Sequence, residues 1–187
     1  MKNWKILSSK KVLSNKFFSV RKDKCMTLQG RIIEAYYVKE GIGSAMVFAV
    51  TEDQRVIVEK QYRHGIQKVS LDLPCGRIEK GESPINAAKR ELLEETGYKA
   101  KKLIPLGKLS YNPASIEEYL HIYLANDLTY QADKKPLGRG GEIKLLFIPL
   151  NELENYIKAQ KIFCAPCIAA IFLALKYLED SPKNNSL

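Results

Sequence analysis

Short β-prone runs separated by turn residues fill the first half of the chain. Between Trp4 and Val38 they predict two or three strands: one stretch holds Phe17, Phe18 and Val20, another is Arg31–Val38, and Leu28–Gln29–Gly30 reads as the turn between them. Glu40–Gly43 forms a joint. Ser44–Thr51 and Arg55–Tyr62 are two further strands around the polar turn Glu52–Gln54, and Val69–Leu73 leads a third into Pro74–Cys75–Gly76. The pattern then changes period. Ser83 is a good N-cap, Pro84 suits the first helical position, and Gly97 can end a helix in the left-handed region. Between them Ile85, Ala88, Leu92 and Thr96 share one face. Strands are expected near Leu103–Leu109 and Glu118–Leu124, then a Gly- and Lys-rich loop over Ala132–Gly141 and a strand at Ile143–Pro149. Two helices close the chain, an amphipathic one at Leu150–Gln160 and an apolar one at Ile168–Leu178. Strands first and helices later predict an α+β or layered αβα domain.

Composition narrows the class. With 187 residues and 45% of them hydrophobic, the chain can bury a core. The net charge of +9 favours anionic ligands, yet no run of five or six like charges marks a nucleic-acid tail. The start, MKNWKILSSKK, lacks the apolar stretch of a signal peptide, and the apolar run Ile162–Leu175 is short for a bilayer and holds Pro166. A soluble, cytoplasmic protein is expected, with no nucleic-acid and no membrane partner. The polar end, residues 181–187, reads as a flexible tail. The Cys164–Ala–Pro–Cys167 spacing fits a redox pair or half a zinc site; no second Cys or His pair completes a zinc set, and the adjoining apolar run favours simple packing of the thiols.

The chemistry concentrates at 82–95. At about 100° per residue, Glu91 and Glu95 are neighbours one turn apart on a helix, Glu94 lies to one side, and Glu82 sits just ahead of the cap. Like charges at these spacings repel. A divalent cation removes that penalty, and Mg2+ prefers carboxylate, carbonyl and water oxygens. Arg90, four residues before Glu94, can pair with a carboxylate and orient it. An ordinary acidic surface helix would also carry these glutamates, so the wider pattern decides.

Residues 76–98 read GRIEKGESPINAAKRELLEETGY. This resembles the Nudix box, G-x5-E-x7-R-E-U-x-E-E-x-G-U with U a bulky aliphatic residue. Gly76, Glu82, Arg90, Glu91, Leu92, Glu94, Glu95 and Gly97 match; Tyr98 is aromatic where an aliphatic is usual. Outside the box, Gln61–Tyr62–Arg63 and Leu71–Asp72–Leu73–Pro74–Cys75–Gly76 resemble the Q-Y-R and W-E-L-P-A-G segments of ADP-ribose pyrophosphatases, with Ser70–Leu71–Asp72 in place of W-E. Pro113, 16 residues after Gly97, and Ser110–Glu118 resemble that subgroup's S-P-G-x-x-x-E loop, with Ala114 for Gly.

The resemblance implies a Nudix αβα sandwich with a mixed β-sheet, plus a small N-terminal antiparallel β-sheet. It implies strands at 1–40 used for homodimerisation, a hydrolase domain at 41–180, and Mg2+, or alternatively Mn2+, as cofactor. The metal ligands would be the Cys75 carbonyl, Glu91, Glu94 and Glu95. Arg90 and Glu82 would hold the set in place, Arg63 would bind substrate phosphate, and Pro113 and Glu118 would meet the substrate, Glu118 at the terminal sugar. Glu142, the only carboxylate of LGRGGEIKLL, would be the base. The implied substrate is ADP-ribose or a related nucleoside diphosphate sugar, cleaved to AMP and a sugar phosphate. GDP-mannose is the alternative, and a non-catalytic ligand-binding module is the reading from a different class.

Overall fold

The computed structural model describes residues 3–131 and 143–181. The chain divides into two compact units: Met1–Gly43 with Ser110–Tyr119, and Ser44–Leu109 with Leu120–Leu187.

In the first unit β1 (Lys5–Ser14), β2 (Ser19–Met26) and β3 (Ile32–Glu40) form an antiparallel sheet in chain order. Phe17 and Phe18 lie in the β1–β2 connection and not in a strand. Asn15 decides this: its side-chain oxygen accepts the backbone N–H groups of Phe17 at 2.8 Å and Phe18 at 3.1 Å, which turns the chain before β-pairing resumes. On the sheet, buried Asp23 accepts from Ser9 Oγ at 2.6 Å and Arg21 Nε at 2.9 Å, so its charge is not left unpaired. The segment Ser110–Tyr119 joins β3 through Lys39, whose N–H reaches the Ser115 carbonyl and whose carbonyl accepts from Glu117 N–H.

The second unit carries β4 (Ser44–Ala49), β5 (Arg55–Arg63), β6 (Lys68–Asp72), β7 (Cys75–Arg77), α1 (Pro84–Thr96), β8 (Tyr98–Ser110), β9 (Tyr119–Tyr130), β10 (Lys144–Pro149), a short 3-10 turn (Leu150–Glu152), α2 (Leu153–Lys158) and α3 (Ala165–Asp180). One sheet has the order β7-β4-β9-β8, and it is mixed: β4 runs parallel to β9 and antiparallel to β7. A second, antiparallel sheet has the order β10-β5-β6.

Strand β4 explains the layering. All six of its residues are buried, as a strand covered on both faces requires. Met46 and Phe48 point into one core, with Leu120, Ile122 and Leu124 of β9 and Ala170, Ile171 and Ala174 of α3. Ala45, Val47 and Ala49 point into the other, with Ala87, Ala88 and Leu92 of α1. Successive residues of a strand face opposite ways, so one apolar run serves two helical layers. The expected αβα sandwich, mixed sheet and separate N-terminal antiparallel sheet are present. One packing expectation is corrected: Ile85 is 37% exposed, and Ala87 takes the inward place in the first turn of α1. No helix among the described residues is long and apolar enough to cross a membrane.

Candidate active site

The helix α1 begins and ends as its residues dictate. Ser83 Oγ accepts the Asn86 N–H, Pro84 occupies the first turn, and Gly97 at φ 76° donates its N–H to the Leu93 carbonyl. Burial of Ala88, Leu92 and Thr96 fixes the rotation of the helix, and the opposite pressure turns its carboxylates toward the β7 strand and the loop after it.

Arg90 organises that loop. Its Nε and Nη2 meet the two carboxylate oxygens of Glu82, each at 3.0 Å, as a planar fork can. The same Nη2 donates to the Arg77 carbonyl at 2.9 Å, while Nη1 donates to Glu91 at 2.7 Å and to exposed Glu94 at 3.3 Å. Hydrogen bonding to Arg90 holds Glu82 below the usual carboxylate range. Arg90 thus ties the box loop, the strand before it and the helix into one piece.

Three carboxylates crowd the interior side. Glu95 accepts the Cys75 backbone N–H at 2.9 Å. Glu91 lies so close to Gly76 that a Cβ there would run into its carboxyl group, which explains a glycine at this position. Glu59, on β5, is fully buried; one of its oxygens accepts from Gln61 Nε2 at 3.1 Å, and its carboxyl group shares a hydrogen bond with Glu95. Burial, followed by the charge of Glu95, pushes Glu59 up to about 9; burial, with the charge of Glu91, pushes Glu95 up to about 7. Carboxylates held this close by the fold, with one carbonyl of the adjoining strand, are oxygen donors of the kind a hard divalent cation takes. The residues present fit such an ion.

Arg63, at the end of β5, donates through Nε to Asp72 Oδ2 at 2.6 Å and keeps nearly half of its side chain exposed. Asp72 is itself buried and also accepts from Ser70 Oγ at 2.8 Å. The guanidinium is therefore aimed by a fixed partner.

Of the residues singled out in the sequence, Cys75, Glu82, Arg90, Glu91, Glu94 and Glu95 come together as one cluster. The charge of Arg63 also bears on Glu95. Pro113 and Glu118 belong to the first unit: Pro113 is exposed, and buried Glu118 accepts from Lys39 Nζ at 2.5 Å, with Gly41 packed against its side chain. Glu142 lies outside the described residues. Sequence reasoning missed Glu59 and Asp72. A signal for Glu59 existed, since it directly follows Val56–Ile57–Val58 in a strand, where a charge at the next position is hard to place in solvent.

Comparison with known proteins agrees with this geometry. Residues 42–165 match the NUDIX domain model, and residues 4–38 match the nucleoside diphosphate sugar hydrolase N-terminal domain. An ADP-ribose pyrophosphatase of Bacillus subtilis is 29% identical over 92% of this chain and 93% of its own length. A GDP-mannose pyrophosphatase of Escherichia coli is 24% identical over 91% and 93%. A crystal structure of an ADP compounds hydrolase superposes with a TM-score of 0.84 at 25% identity, covering 96% of each chain. Hydrolases of this type generally use a divalent metal. With a matched domain over most of its length, a full set of box residues and the sandwich that presents them, this chain belongs to the Nudix family of hydrolases.

Proposed function

We propose that the protein hydrolyses the pyrophosphate bond of ADP-ribose, or a closely related nucleoside diphosphate sugar, to AMP and a sugar phosphate. Water adds across the P–O–P bridge, its hydroxyl ending on one phosphorus and its proton leaving with the bond's oxygen. The observation that carries the reading is the crowding of fully buried Glu59 against half-buried Glu95 and Glu91, which leaves Glu59 and Glu95 raised by burial and by one another's or a neighbour's charge. Mg2+, or Mn2+, would be held by the Cys75 carbonyl, Glu91, Glu94 and Glu95, and when bound it supplies neutralisation of the diphosphate and activation of water. Glu59 adds a further carboxylate from the sheet. Arg90 holds Glu82, Glu91 and the Arg77 carbonyl in register, so the cluster keeps its geometry while charge shifts on the phosphates. Arg63, aimed by Asp72, binds a substrate phosphate.

Glu142 is the base in this reading, and Pro113 and Glu118 meet the substrate. Replacing Glu142 by Gln is expected to lower kcat by about 10²-fold or more with little change in KM; an unchanged kcat would place the base elsewhere. The protein acts as a homodimer through its N-terminal sheet. It works in the cytoplasm, in keeping with four cysteines that are all free thiols.

GDP-mannose is the second reading, supported by the similarity to GDP-mannose pyrophosphatases. A panel of ADP-ribose, GDP-mannose and other nucleotide sugars, each with Mg2+ and with Mn2+, separates the two by product chromatography. AMP from ADP-ribose at the highest kcat/KM is the expected result. GMP from GDP-mannose as the preferred product would replace it, and tight binding of all with turnover of none would make the chain a ligand-binding module.

A further inference from the structure

One reactive pair has no part in this chemistry. Cys164 is the N-cap residue of α3 and Cys167 lies in its first turn. Their sulfur atoms and a carboxylate oxygen of Asp72 all lie within 4.8 Å of one another. Cys167 is 1% exposed; its sulfur accepts the Leu73 N–H at 3.5 Å and its thiol faces Asp72 Oδ1 at 3.8 Å. Cys164 is only half-buried. Cys164 packs against the rim of the core but keeps part of its surface open, beside a second thiol and a carboxylate.

We propose that Cys164 and Cys167 form a reversible disulfide, made by exchange with a low-molecular-weight disulfide, and that its closure weakens substrate binding at Arg63. The accessible Cys164 thiolate attacks one sulfur of the small disulfide and expels one thiolate. Cys167 then attacks the mixed disulfide at Cys164 and expels the second, its proton leaving by way of Asp72 to that thiolate. Two protein S–H bonds and one external S–S bond are replaced by one protein S–S bond and two external S–H bonds, so two electrons pass to the small disulfide. The division of labour suits the two sulfurs: hydrogen bonding from Cys167 outweighs burial and brings Cys164 down to about 7, whereas Cys167 is held well up in its thiol form.

The link to Arg63 is Asp72. Its Oδ2 accepts from Arg63 Nε at 2.6 Å, and its Oδ1 accepts from Ser70 Oγ and faces the Cys167 thiol. A disulfide has no S–H to offer. The buried carboxylate that aims the guanidinium thereby loses the Cys167 S–H on one side. A soft metal would use the same three atoms. The geometry disfavours it, because both oxygens of Asp72 are already engaged and the adjacent Arg63 repels a cation. The effect on substrate rests on the phosphate-binding role proposed for Arg63; the disulfide itself does not.

The test uses the full chain equilibrated in mixtures of reduced and oxidised glutathione, quenched with acid, alkylated and mapped by mass spectrometry. Two of the four thiols are expected to be lost together, as a Cys164–Cys167 cross-link that dithiothreitol reverses. KM for ADP-ribose is expected to rise about tenfold on oxidation, the size of losing one hydrogen bond to a charged group. Cys164→Ser should keep the reduced protein's KM and show no rise. Four alkylatable thiols at excess oxidised glutathione would overturn the proposal, as would a cross-link that leaves KM unchanged, or one Zn2+ retained per chain that shields both thiols. If the reduced protein cleaves no diphosphate, the functional reading fails by itself; the thiol map still decides the disulfide, and calorimetric Kd for ADP-ribose replaces KM.

Discussion

Two carboxylates buried side by side repel, and the molecule must either keep a proton on one or share the space with a cation. Glu59 and Glu95 are in that position, at about 9 and about 7. Both folded-state values lie above the ordinary carboxylate range, so the folded protein binds more protons than the unfolded chain over that interval. The metal-free protein should therefore lose stability as pH rises from about 4.5 to 9, and Glu59→Gln should remove part of the slope. Urea denaturation in EDTA at pH 5, 7 and 9 measures this. Equal stabilities at all three values for the wild type would show that Glu59 is not buried as a carboxylate beside Glu95. Saturating Mg2+ should reverse the trend, because the ion favours the ionised form. Glu95→Gln acts at the same scale: turnover should fall about a thousandfold, with the thermal transition retained. Near-normal kinetics would take Glu95 out of the site.

At the scale of the element, α1 and the strand before it work as a unit held by Arg90. The contact of Gly76 with the Glu91 carboxyl is what lets strand and helix come this close. Gly76→Ala should displace Glu91 and lower kcat/KM by about 10²-fold, in the range seen when the support around a metal ligand is lost. The far-ultraviolet spectrum should remain that of the wild type. A fully active Gly76→Ala enzyme would mean that Glu91 does not need its present position. Much of this element was legible in advance, since Ser83, Pro84 and Gly97 mark its ends by simple backbone chemistry. The inward face was read less well. Ile85 fits the helical period, but in the first turn the neighbouring strands cover Ala87 and leave Ile85 half open, which periodicity cannot foresee.

At the scale of the molecule, the N-terminal sheet has an unusual outer strand. All ten residues of β1 are exposed, with Ile6, Leu7, Val12 and Leu13 among them, so an edge of this kind invites pairing with a second chain. Light scattering after gel filtration should give twice the 21.2 kDa chain mass. Val12→Asp with Leu13→Asp should shift the species toward the monomer while the hydrolase unit keeps its melting transition. A monomeric wild type would remove the dimer from the proposed function.

The chain's own order of residues determined the helix limits, the carboxylates it carries at 91, 94 and 95, and the fork residue at 90, because caps and helical spacing are local and act within a few positions. Apolar runs such as 44–50 likewise announced buried strands. Which distant groups join them was a matter for tertiary structure. Glu59 reaches Glu95 only because β5 packs beside α1's layer, and Asp72 meets Arg63 and Cys167 only because β6 pairs with β5 and lies under α3. Contacts between residues far apart in the chain depend on strand order and layer packing, and no local propensity encodes those.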